Sequence, residues 1–160
     1  DLIRLLDNNT SFVGGFTITF AAAIALGAVF SALQIPAMVT NLLLSISTNK
    51  IVLLMIINLV LLVIGMLLDV NSSIIIFGPL LYSVFVTNLG VNPVHLGIIV
   101  IVNLCIGFVT PPVGANLFVA SSMTKLSMTE IAKAALPFLL ALFIALMFIT
   151  YIPQISLFLL

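Results

Sequence analysis

Between Lys50 and Lys125 the only formally charged side chain is Asp69, set in an almost wholly apolar stretch. A carboxylate at the centre of a membrane helix costs about 2.5–3.5 kcal/mol, so at that depth it calls for a bound cation or hydrogen-bond donors. In a solvated turn it costs nothing. Its neighbours Asn71, Ser72 and Ser73 are either N-caps for the following segment or polar groups turned into a cavity. The second candidate is Gly107-Phe108-Val109-Thr110-Pro111-Pro112-Val113-Gly114-Ala115-Asn116. Pro111 and Pro112 remove two backbone donors and clash with the preceding turn. Thr110, before a proline, is pushed away from helical angles. Gly107 and Gly114 bracket the break. A helix arriving at Val109 ends in carbonyls, which suits a cation; one starting near Ala115 offers N–H groups, which suits a carboxylate. Unpaired backbone at membrane depth survives only inside protein or along a polar cavity. The competing reading is a proline kink with structural duty alone.

Other polar residues carry weaker signals. Asn103, about two turns before Thr110, either faces the same cavity or makes an interhelical hydrogen bond. His95 reads as a helix-start residue at the interface, with a proton relay as the rarer alternative. Cys105 and the six methionines read as packing. One cysteine and one histidine supply neither a disulfide framework nor a protein-only zinc site. There is no nucleophile–base pair, phosphate loop or HExxH pattern, so an intramembrane enzyme has no support and no cofactor is expected. Zero net charge and four scattered basic residues point away from nucleic acid.

The elements that must position these residues follow from composition. Of the 160 residues 64% are hydrophobic and 5% charged, against about a quarter charged in soluble domains. The expectation is an all-α polytopic membrane protein. Residues 1–10 read as an interfacial helix or connector, continuing a longer chain, with no signal peptide before Phe12. The expected elements are a span over 12–33, an interfacial helix over 36–49, two apolar arms over 51–89, a broken span over 93–124 and a last span over 137–158. The alanines and glycines of the first span predict a helix packed inside protein. Ser127-Met128-Thr129-Glu130 fits a capping box, ahead of Pro137. Residues 51–89 fit two architectures: two full spans joined by an external turn at Asp69–Ser73, or a re-entrant hairpin with that tip near the midplane. Broken helices that pair opposite ends at the midplane are a recurring device of secondary transporters. The four basic residues are too evenly spread to orient the chain.

Three strings carry a family resemblance: Gly65-Met66-Leu67-Leu68-Asp69, Pro93-Val94-His95-Leu96-Gly97-Ile98-Ile99, and Asn103 through Ala120 around Thr110-Pro111-Pro112-Val113-Gly114. They closely resemble the large membrane subunit of TRAP transporters, the DctM-like family. The resemblance implies one half, the C-terminal repeat, of an inverted-repeat ion-transporter-superfamily fold, each half with a re-entrant hairpin and a broken transmembrane helix. It implies import of a small organic acid, such as a C4-dicarboxylate or a sialic acid, with Na⁺ as coupling ion. The implied partners are a periplasmic substrate-binding protein, a small membrane subunit and the N-terminal repeat, all at a bacterial inner membrane. Carried over, Asp69, Gly107 and Thr110 would hold Na⁺, partly through backbone carbonyls. Ser72, Ser73, Pro112, Gly114 and Asn116 would meet the substrate. A related antiporter without a binding protein, and a non-transporting membrane scaffold, are the alternatives.

Overall fold

A computed structural model of the chain describes residues 17–18, 21–111 and 114–158. Most of the helical stretch expected before residue 21, together with Pro112 and Val113, lies outside the described residues. All regular structure among the described residues is helical. Helix α1 (Ala21–Ala32) meets α2 (Ile35–Ile46) at a bend of 67°. Gln34 turns the corner in the left-handed region, with φ 56°, and Pro36 falls in the first turn of α2, where its fixed φ suits a helix start. The Thr40 hydroxyl then folds back onto the Pro36 carbonyl at 2.7 Å. Among the described residues α1 is only partly covered. Ala23 is buried and Gly27 faces the Ile75 carbonyl, but Ala21, Ala22, Ala25 and Ala28 are exposed. Small residues permit close approach without compelling it.

Helix α3 (Lys50–Leu67) starts where the Asn49 side chain caps the Ile51 N–H. It buries Leu53, Leu54, Ile57, Asn58, Leu61, Leu62 and Gly65, the i, i+3/i+4 stripe of one helix face. Its other face, with Met55, Leu59, Val63 and Leu67, is exposed and equally apolar. A helix apolar all round faces lipid or more protein rather than water. Helix α4 (Val70–Leu81) carries Pro79 in its interior and runs into π-helical turns over Tyr82–Asn88. Gly90, at φ 62°, closes the turn into α5 (Pro93–Phe108), which Asn92 caps and Pro93 opens. The arms Lys50–Leu67 and Val70–Asn88 are each long and apolar enough to cross a membrane.

Helix α5 is the centre of the packing. It lies along α3, with α4, the π-helical turns and α7 also against it. Leu53, Leu54, Ile57 and Leu61 of α3 interleave with Leu96, Ile99, Val100 and Leu104 of α5, and Phe85 closes the cluster. Asn58 pairs with Asn103, and further along Gly65 meets Gly107. Both helices therefore run in the same direction, and α4 with its π-helical extension is the return strand of a hairpin.

After the break comes α6 (Ala115–Thr124), packed on α7 (Met128–Tyr151). The capping box is formed: Ser127 Oγ accepts from the Glu130 N–H, and Glu130 Oε2 accepts from the Ser127 N–H at 2.9 Å. The last span thus begins nine residues before the expected position 137 and passes through Pro137. Strong nucleation at Ser127 carries the helix to a proline that deletes one backbone bond, a loss membrane helices tolerate. It also ends earlier than 158, at Tyr151. Pro153 stops α7 as expected and then opens a separate short helix, α8 (Pro153–Leu157). Phe138 and Phe148 face outward.

Candidate functional site: the hairpin tip and the helix break

The close approach of α3 and α5 decides where the candidate residues stand. A Cβ on Gly107 would lie 2.7 Å from the Gly65 Cα and from the Leu62 carbonyl oxygen. One on Gly65 would lie 2.8 Å from the Leu104 carbonyl oxygen. No side chain fits between these backbones. Within three residues of each glycine the chain leaves the helix, at Leu68 on α3 and at Val109 on α5. The hairpin tip and the helix break therefore open at the same end of the α3/α5 pair.

At the tip, Leu68 and Asp69 hold extended backbone and Asp69 is the N-cap of α4. Its Oδ2 accepts from the Ser72 N–H at 3.0 Å. The turn is shorter than the expected Asp69–Ser73 loop. Asn71, Ser72 and Ser73 sit inside the first helical turn, and the capping role falls to Asp69 instead of to them. A half-buried carboxylate with a backbone donor in reach takes the cap. The Ser73 hydroxyl donates to the Asp69 carbonyl at 2.8 Å, leaving its lone pairs free to accept. Ser72 is 6% exposed, and its Oγ has no hydrogen-bond partner among the described residues.

At the break, the Thr110 N–H bonds the Gly107 carbonyl at 2.9 Å, and the Thr110 hydroxyl donates to the Ile106 carbonyl at 2.6 Å. Thr110 thus tightens the last turn of α5 while its oxygen keeps lone pairs for a ligand. Gly114, at φ 36°, caps α6, and a Cβ there would stand 2.8 Å from the Thr110 carbonyl oxygen.

Asn116 lines an open cavity with Cys105, Phe108 and Val109 of α5 and Leu142 of α7. At 100° per residue, Cys105 lies on the far side of α5 from Asn103, the side turned away from α3. Pro111 is exposed and lines a further cavity with Leu117, Met128 and Thr129.

Two polar features were not legible as sites. The buried Asn103 amide donates to Asn58 Oδ1 at 2.8 Å and to the Ile99 carbonyl at 2.9 Å. Asn58 in turn donates to Thr150 Oγ1 at 3.0 Å, so one polar chain crosses α5, α3 and α7. Of the two readings of Asn103, the interhelical bond is the one found. The visible signal was a lone amide in each of two apolar runs. His95 lies in the first turn of α5, as expected, and is buried, with Nδ1 3.0 Å from Ser156 Oγ on α8. Nothing local to Pro93–Ile99 foretells a partner 61 residues away.

Helices long and apolar enough to cross a membrane define an all-α polytopic membrane protein. The chain belongs to the DctM component of the tripartite ATP-independent periplasmic transporters, whose family model matches residues 1–155. It is 41% identical over 136 residues to a C4-dicarboxylate TRAP transporter large permease protein, DctM, of Vibrio cholerae, covering 85% of this chain and 30% of that protein. It is 38% identical over 141 residues to an isethionate TRAP transporter permease, DctMQ, of Oleidesulfovibrio alaskensis, covering 88% and 22%. It is 37% identical over 124 residues to a sialic acid TRAP transporter large permease, SiaM, of Vibrio cholerae, covering 78% and 29%. The chain therefore spans less than a third of these relatives. The family is one of inner-membrane permeases, not of enzymes.

Proposed function

We propose that this chain is the C-terminal repeat of a TRAP permease that imports a small organic acid with Na⁺ coupling. In this reading a periplasmic binding protein delivers the substrate, and a small membrane subunit and the N-terminal repeat complete the transporter. Residues 51–89 form the re-entrant hairpin, and 93–124 the broken helix. Na⁺ is held by backbone carbonyls around Gly107, by the Thr110 oxygen and by Asp69. The substrate anion meets Ser72, Ser73, Pro112, Gly114 and Asn116.

The observation that carries this reading is the Gly65–Gly107 contact, because it sets the tip and the break at one end of the helix pair. Two further features support it. The Ser72 hydroxyl is buried without a hydrogen-bond partner among the described residues, and a buried polar group is normally satisfied by something. The relatives' names give a dicarboxylate, a sulfonate and a sialic acid, all small organic anions. The capping role of Asp69 refines the substrate side. Its carboxylate already occupies the N–H end of α4, so an anion approaching there meets the Ser72 hydroxyl rather than free amides.

The test is uptake by the complete transporter reconstituted with its binding protein, with and without an inward Na⁺ gradient. Uptake of an organic acid that collapses without the gradient is expected. Uptake indifferent to sodium defeats the coupling, and failure to take up any organic anion defeats the substrate class.

A further inference from the structure

At the Gly65–Gly107 crossing two glycines touch backbone to backbone, flanked by Leu62 of α3 and Ile106 of α5, and no polar side-chain bond joins the two helices there. The rest of the α3–α5 seam is leucine, isoleucine and valine. Such contacts are non-directional, and in lipid they lack even the drive to exclude water. Yet the carbonyl of Gly107 and the oxygen of Thr110 must stand at a fixed distance from the tip to serve one ion. Among the described residues, a single side-chain hydrogen bond joins α3 to α5: Asn103 Nδ2 to Asn58 Oδ1. It lies four residues before Gly107, about 6 Å along the helix at 1.5 Å per residue. The Asn103 amide cannot swing away, because its second hydrogen is held by the Ile99 carbonyl of its own helix. That bond also fixes which end of the amide is nitrogen, since an oxygen 2.9 Å from the Ile99 carbonyl would be repelled.

Holding this geometry has a cost. Asn103 is 0% exposed and its Oδ1 has no partner. A leucine of similar size would fill the same space and leave no orphaned acceptor. A buried amide with one atom unsatisfied is poor value for stability and makes sense as a device for register. We infer that Asn103 and Asn58 are positioning residues for the helix break. They fix the slide and roll of α5 on α3, and through it the station of Gly107 and Thr110 relative to the tip.

The transport part of the test rests on the sodium-coupled reading above; the spectroscopic part does not. In the complete transporter, made otherwise cysteine-free, nitroxide labels go on Cys105 and on Leu67→Cys, both exposed near the break. Asn103→Leu, Asn58→Leu and the double variant are each expected to broaden the label–label distance distribution. Each should raise the half-saturating Na⁺ concentration about three- to tenfold, the range of an interhelical hydrogen bond. The double variant should be no worse than the worse single one, because both remove the same bond. Thr150→Val cuts the same polar chain at its far end, leaving the α3–α5 bond intact. It should change neither the distance width nor the sodium dependence by as much as twofold. Additive losses, an unchanged width in the leucine variants, or an equal effect from Thr150→Val would each overturn the inference. If the unmutated transporter ignores sodium, the coupling falls on its own, and the distance widths alone decide the positioning role.

Discussion

The two ends of the α3/α5 pair are held by different kinds of contact. At the break end, the hydrogen bonds are local. Asp69 binds Ser72 and Ser73, and Thr110 binds Ile106 and Gly107, none reaching beyond four residues. The helices there meet through glycine backbone flanked by the apolar side chains of Leu62 and Ile106. Toward the other end, the bonds join separate elements. His95 meets Ser156, Asn58 meets Thr150 and the Tyr151 hydroxyl donates to Met55 Sδ. An end tied only by local bonds can rearrange without breaking a long-range side-chain bond; the stitched end cannot. The contrast fits a unit in which ligand contacts are made at the loose end while the other end moves as one body.

The contrast breaks most sharply at the glycines. Gly107→Ala puts a methyl 2.7 Å from the α3 backbone, and overpacking of this kind costs about 1–3 kcal/mol. Uptake by the complete transporter should be lost and its thermal unfolding lowered. Gly97→Ala, whose Cβ would meet nothing within 4 Å, is the control and should leave both unchanged. Equal tolerance of the two would show that the close approach is dispensable.

Thr110 sharpens the comparison at the break itself. Thr110→Val keeps the shape and removes the hydroxyl, and should weaken apparent sodium affinity about tenfold, or ~1.4 kcal/mol. Thr110→Ser should retain most of it. Equal sodium titration curves for Val and Ser would reduce the hydroxyl to a helix-end tie.

At the tip, Asp69→Ala removes the α4 cap and should cost about 1 kcal/mol, seen as lowered thermal stability. Asp69→Asn keeps an equivalent cap, so any sodium defect it shows belongs to the charge and not to the fold. The smallest effect is expected at the stitched end. Ser156→Ala removes one bond to His95, worth about 0.5–1.5 kcal/mol, with no change in sodium dependence. A sodium shift there as large as that of Thr110→Val would erase the difference between the ends.

Much of the architecture was legible in the residues because its signals are local. The Ser127–Glu130 box, the Pro93 start, the stop at Pro153 and the interruption after Val109 each follow from side chains within a few positions of one another. Pro137 marks a boundary by sequence, but the strength of the cap upstream mattered more and the helix runs through it. The polar turn at Asp69–Ser73 was visible, but which of its members caps the helix depends on where the backbone first turns helical. That His95 meets Ser156 is not legible, because its partner on α8 is remote in sequence.

By itself the sequence determined that this chain lives in a bilayer and that one of its helices must be interrupted at Pro111. Composition and missing backbone donors act without reference to distant partners. It equally determined family membership, through strings of residues that need no coordinates. Only the tertiary structure decided that Gly65 and Gly107 touch, that Asn103 reaches Asn58, and that Asn116 shares a cavity with Cys105 and Leu142. Those are matters of which helix face meets which, set by packing between segments tens of residues apart, and no local pattern records them.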